Sequence, residues 1–223
     1  MESILFNAIR YLASFLAVLV VLPLHEFAHA YAAVKCGDAT PKLMGRYTLN
    51  PFAHFDPLGL VMLVLLRFGW AKPVPVNPDN FRHYKSGCVW VSIAGVLTNI
   101  VLALAICPLY LYSRIFYINA EWARYINVLI ANFIASLFYL NVGLFVFNLL
   151  PIYPLDGFRL YDALIKKRGK VYYFLRNNSL YILLAILILG FIGDSTGLYF
   201  LDIVGYITDK VSWLIIKLWS LII

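Results

Sequence analysis

Between Tyr11 and Val34 a single residue, Glu26, carries a formal charge. As a helix, a run of that length and polarity can cross the ~30 Å hydrocarbon core of a bilayer. An ionisable side chain at membrane depth is costly and as a rule marks function. Glu26 sits beside the first of two histidines, in the sequence His25-Glu26-Phe27-Ala28-His29. Residues i and i+4 share one face of a helix, so both imidazoles can reach the same metal ion. Glu26 projects from a neighbouring direction, where its carboxylate can touch a water on that ion without filling a ligand position.

The rest of the chain supports a membrane setting. Of 223 residues, 63% are hydrophobic and 13% charged, and a soluble domain of this length could not hide that much apolar surface. The net charge of +7 does not call for nucleic acid, because the basic residues fall in loops, as orientation signals do. Cys36, Cys88 and Cys107 have no metal-ligand spacing and cannot all pair, and Cys88 and Cys107, in or beside an apolar run, read as packing residues. No cleavable signal peptide is expected, since the first apolar run holds the His-Glu-x-x-His motif.

In chain order, the spacing predicts a first helix over residues 4–36, ended by Gly37 as a C-cap. Pro23, two residues before His25, is expected to kink it, and Ala28 and Ala32 offer a small-residue face to a second helix. Residues 38–86 are basic and proline-rich, and they read as extended or turn-rich backbone. Within them, residues 57–66 form an apolar run too short to cross as a helix, expected to be re-entrant or interfacial. Residues 87–113 make a second span, with Gly95 and Asn99 on one face. Asn99 is a candidate for substrate contact, against the commoner role of an amide that joins helices. Residues 125–155 are uncharged, too long for one straight crossing, and broken at Asn148-Leu-Leu-Pro151. Residues 177–193 give a fourth, short span, and 198–223 either a fifth or an interfacial helix. The expected fold is an all-α polytopic membrane protein of about five transmembrane helices. Residues 1–176 form its catalytic core, built on three helices, and residues 177–223 its C-terminal membrane segments.

Two histidines from one helix leave a catalytic metal site short of a ligand. Asp156, between Pro154 and Gly157 at the broken end of the third span, is the best-placed carboxylate, although it could also cap the segment that follows. Charge supports the ligand reading. The positive-inside rule puts the basic loops 35–86 and 158–176 in the cytoplasm and loop 114–124 outside. The first and third spans then run the same way, and Asp156 approaches the face of the histidines only if residues 57–66 do not cross.

These residues carry a family resemblance. His25-Glu-Phe-Ala-His29, followed by Asn148-x-x-Pro151-x-x-x-Leu155-Asp156-Gly157, resembles the site-2 protease family of intramembrane zinc metalloproteases. Between the two motifs, Gly45-Arg46-Tyr-Thr-Leu-Asn50-Pro51, His54-Phe-Asp56-Pro57, the Lys72-Pro-Val-Pro-Val-Asn-Pro78 stretch and Gly95-x-x-x-Asn99 are similar to its compact members. Val96 and Tyr153 stand where prolines are common in that family. The resemblance implies one zinc ion per chain held by His25, His29 and Asp156, Glu26 as catalytic base, and a transmembrane protein segment as substrate within the lipid bilayer. On chemical grounds Asn148 is a candidate to hold the peptide or the tetrahedral oxygen, or else to cap the helix break. His54 is a candidate for substrate contact or a structural loop histidine. The competing class is a metal-binding membrane protein without hydrolytic activity, such as a transporter. A transporter would carry polar residues through several spans in pseudo-symmetric halves, whereas here polarity gathers at one site.

Overall fold

The computed structural model describes residues 2–59, 71–113 and 117–222. The first helix, α1 (Glu2–Cys36), continues through Pro23 without interruption. Proline removes one backbone N–H and so leaves the carbonyl four residues earlier without its helical donor. Gly37, at φ +116°, ends the helix. Its N–H donates to the Val34 carbonyl, and the Asp38 N–H to the Ala33 carbonyl, the double bond pattern that a left-handed glycine allows after a helix.

The chain then makes an excursion through two single helical turns, α2 (Thr40–Leu43) and α3 (Pro51–His54). It returns along residues 71–77, which form neither helix nor turn, and a 3-10 turn at Pro78–Asn80. Of the run expected to be re-entrant, residues 60–66 lie outside the described residues. The two ends of the excursion are tied together. The Arg82 N–H donates to the Cys36 carbonyl at 2.9 Å, while buried Asp38 accepts from the Asn77 N–H at 2.7 Å and from Asn80 Nδ2 at 2.8 Å. The chain therefore leaves and re-enters the bundle at one point, and the excursion makes no net crossing.

Helix α4 (Tyr84–Leu111) consequently runs back along α1. After residues 114–116 the chain enters α5 (Arg124–Asn148), which runs in the direction of α1. The Phe6 and Tyr125 rings meet near their starts, with centroids 5.5 Å apart. Next, Ser14 and Ser136 hydroxyls come within 3.1 Å. Lipid tails are as apolar as leucine, so such helices associate through close packing rather than by hiding apolar surface from water. Ala13, Ala17, Ala30 and Ala33 are fully buried on α1. Ala28 and Ala32, the pair expected to receive a second helix, line a groove with Trp90 and Ala94 of α4, and Ala32 packs against the cluster of Ala33, Phe81 and Val91.

Beyond the break after Asn148, α6 (Asp156–Leu164) and α7 (Lys170–Asn177) are short. They pack through aromatic rings, with Phe158 and buried Tyr172 5.3 Å apart. Helix α8 (Ser179–Thr196) leaves α7 at 66°. The final helix, α9 (Ile203–Ser220), lies against α4 and α5. Its Ile215 joins Ala103, Cys107, Phe138, Val142 and Val146 in one core, and Trp219 Nε1 donates to the Leu104 carbonyl. Helices α1, α4 and α5 are long and apolar enough to cross a membrane, and α7 with α8 make up to a fourth span. With Asp209, Lys210 and Lys217, α9 is not among the helices that meet this measure. The protein is an all-helical, polytopic membrane protein.

Asp38 sets a test of the closure. Burial alone would raise its carboxyl, but hydrogen bonds from Asn80, Thr40 and the Asn77 and Thr40 N–H groups outweigh that and hold it below the usual range. A depressed folded-state pKa contributes stability that is complete above the unfolded value, about 4, and is lost as pH falls through the folded value. Asp38→Asn is therefore expected to cost roughly 2–3 kcal/mol at neutral pH, the scale of several weakened bonds to a buried anion. The gap to wild type should narrow below about pH 4. Thermal unfolding in detergent across pH checks both.

Candidate metal centre

His25 and His29, one turn apart on α1, both face α4. The His25 Nδ1–H donates to Asn99 Oδ1 at 2.6 Å, and the His29 Nδ1–H donates to the Val91 carbonyl at 2.7 Å. A histidine whose Nδ1 proton is engaged presents its Nε2 lone pair, and both Nε2 atoms turn to the same space, 3.1 Å apart. They fit because residue 95 has no side chain. A Cβ on Gly95 would overlap His29 Nε2 and stand 2.7 Å from His25 Nε2.

The third member arrives from the far side of the sequence. At the end of α5 the chain breaks over residues 149–155 and restarts as α6, whose first residue is Asp156. Gly157 permits this, because a Cβ there would run into the backbone of Leu149 and Leu150. Asp156 Oδ2 lies 3.0 Å from His29 Nε2 and 3.4 Å from His25 Nε2. All three residues are buried. Among the described residues Asp156 Oδ2 has no hydrogen-bond donor.

An unsatisfied buried carboxylate oxygen beside two imidazole nitrogens is the donor set of a metal site. In a tetrahedron with bonds of about 2.0–2.1 Å the ligand atoms stand about 3.3 Å apart. The observed separations of 3.0, 3.1 and 3.4 Å match those edges, so the residues fit zinc with one position left open. Among the described residues this is the only group of three or more His, Cys, Asp or Glu side chains so placed.

A family profile described as peptidase family M50 matches residues 13–190. The chain belongs to that family. Among curated proteins, this peptidase is 39% identical to YwhC of Bacillus subtilis over 150 residues, 67% of this chain and 68% of that protein. It is 33% identical to Rip2 of Mycolicibacterium smegmatis over 63% of this chain and 52% of that one. The zinc metalloprotease MJ0392 of Methanocaldococcus jannaschii is 28% identical over 74% of this chain, which spans 38% of its length. No solved structure gives a significant match.

The other candidates are dispersed. Glu26, half-buried beside His25, accepts from the Val74 N–H at 3.1 Å, a contact from the return segment that sequence spacing does not reveal. Asn148 is the half-buried last residue of α5. Asn99 is wholly buried, with its oxygen on His25 and its nitrogen on Asn141 Oδ1. His54 is wholly buried on α3, and its Nε2–H donates to the Thr48 carbonyl at 2.7 Å. It lies outside the three-residue group. Asn141 and the Val91 carbonyl escaped the sequence reading. The first resembles any helix-joining amide, and the second has no side-chain signature at all.

Gly95→Ala is expected to displace the imidazoles and weaken metal affinity by about 10- to 100-fold, the range found when support for a ligand is lost. Gly143→Ala, on α5 with nothing within 4 Å of a new Cβ, should leave affinity unchanged. Zinc titration of the two purified variants against a chelating dye makes the comparison.

Proposed function

We propose that this M50 peptidase is a zinc-dependent intramembrane endopeptidase that cuts within or near transmembrane segments of other membrane proteins. The observation that carries the reading is the unpaired Oδ2 of Asp156 closing on His25 and His29, with the carboxylate of Glu26 on the adjoining residue. Zinc held there would supply Lewis acidity and bring the pKa of an attacking water to about 7. The chain's own residues do the rest. His25, His29 and Asp156 hold the ion. Glu26 takes the proton of the attacking water on a carboxylate oxygen and returns it to the departing amine nitrogen, so one residue serves as base and then acid. Asn148, at the end of α5, is placed in sequence to steady the peptide carbonyl through its amide.

A peptide bond inside a transmembrane helix is shielded, so the substrate has to unwind locally before attack. The return segment supports that step. Residues 72–77 form neither helix nor turn, and Asn77 is extended. Ala71 pairs with Phe55 in an isolated antiparallel bridge, and the Lys72 N–H donates to the His54 carbonyl. Backbone of this kind beside Glu26 can accept an unwound peptide as an added strand. Selection would then follow the tendency to unwind more than a fixed side-chain pattern. The site is assigned to the cytoplasmic half of the membrane, because the excursion and the α6–α7 region carry most of the basic loop residues. Residues 1–176 would form the catalytic core, with 177–223 supporting it.

Glu26→Gln separates chemistry from binding. Nearly isosteric, it is expected to keep zinc while cleavage of a transmembrane test substrate falls at least 10²- to 10⁴-fold, the usual contribution of a positioned acid–base group. Wild-type cleavage by that variant would assign the proton transfer elsewhere.

Orientation is tested separately. With the three native cysteines replaced, single cysteines at Lys72 and Lys167 should label from the cytoplasmic face and one at Glu121 from the opposite face. Labelling of Lys72 and Lys167 from opposite faces would refute the shared site.

A further inference from the structure

Two asparagines face each other inside the bundle, one on α4 and one on α5, and both are fully buried. Asn141 Nδ2 donates to the Leu137 carbonyl on its own helix at 2.7 Å. A carbonyl can only accept, so that end of the amide has to be its NH₂. The Oδ1 end of Asn141 therefore points at Asn99, and it accepts from Asn99 Nδ2 at 2.9 Å. With its nitrogen committed, Asn99 has only its oxygen left for His25 Nδ1, 2.6 Å away. That oxygen accepts and cannot donate, so the His25 proton is held on Nδ1 and the Nε2 lone pair faces Asp156.

His29 needs no such chain, because the Val91 carbonyl holds its Nδ1 proton directly. Among the described residues His25 Nδ1 meets the Asn99 oxygen and no backbone carbonyl. We propose that Asn99 and Asn141 form a two-amide relay that carries the polarity of the Leu137 carbonyl to His25 and fixes the tautomer able to bind metal. Asn141 is thus a positioning residue for the site, one helix and one side chain removed from any ligand. Without it Asn99 is free to turn over. Its NH₂ would then face His25 Nδ1, the ring proton would move to Nε2, and the lone pair needed by the metal would be lost. An amide that merely joins α4 to α5 would have no such directional requirement.

The inference rests on the zinc site proposed above, and zinc affinity of the full-length protein in detergent, measured against a chelating dye, is the readout. N141L is expected to weaken zinc about 10- to 100-fold, as loss of outer support for a histidine ligand does. N141D should stay close to wild type, because a protonated carboxyl can donate to the Leu137 carbonyl and accept from Asn99. The deciding variant is N99D/N141L. A carboxylate at 99 presents an acceptor to His25 whichever way it turns, so it should restore the affinity lost in N141L. A purely packing role predicts that the double variant binds no better than N141L, since it adds a buried charge to an already missing contact. If N141L does not yield folded protein, N141S and N99D/N141S carry the same expectations, the serine being too short to reach Asn99. Wild-type affinity in the single variant, or no recovery in the double, overturns the relay. Failure of the proposed zinc site itself reads differently, as a wild-type chain that binds no zinc or as His25→Ala binding it normally.

Discussion

Taking a carboxylate out of water costs several kcal/mol unless a cation or hydrogen-bond donors replace the solvent. Asp156 is placed in that position with one oxygen left bare. In a bundle whose helices are mostly apolar, this debt constrains everything near it. The end of α5 has to stop, so that α6 can begin at the depth of the histidines. Helix α1 has to turn His25 and His29 to the same side, and α4 has to approach closely enough to hold both rings from behind.

Close approach explains where the glycines fall. Gly95 leaves room for two imidazoles against α4, and Gly157 lets α6 begin against the backbone of Leu149 and Leu150. At Gly37 a positive φ turns the chain out of α1 and into its excursion. Each is a place where a methyl group or a right-handed backbone would separate elements that the site needs together. The rest of the bundle packs by ordinary means, with alanines on α1 and a Phe138-centred cluster between α4, α5 and α9.

Much of this was legible in the sequence because the decisive signals are local or topological. The four-residue spacing of the histidines holds in any helix. The charge-free runs announce α1, α4 and α5. Asp156 was marked by its place at the Pro/Gly-broken end of the third span, and counting crossings supported it, because only a chain that returns without crossing brings its carboxylate to the histidine face, and the Cys36–Arg82 closure shows such a return. What stayed hidden depends on pairing across helices. Asn99 could be marked as a polar residue on a useful face, but its partners on α1 and α5 are set by helix rotation, which the sequence does not give. Asn141 had no local feature to distinguish it. The contact of Val74 with Glu26 is made by a backbone N–H, so no choice of side chain announces it. The last helix was ambiguous because its charges and its apolar residues are nearly balanced, and packing against α4 and α5 gave it a place.

The closure at Cys36 and Arg82 has a consequence for how such a chain can vary. Because both ends of the excursion are pinned to one another, everything between them is a closed loop hung on a fixed frame. Doubling the length of a flexible loop costs only about 0.6 kcal/mol in closure entropy. Residues could be inserted or removed between the two pinned ends without changing the register of α1 against α4. In engineering terms the part of the segment before residue 71 is an exchangeable cassette, and the metal-binding frame tolerates the exchange only while Gly37, Asp38 and Asn80 remain to clasp it and Val74 remains against Glu26.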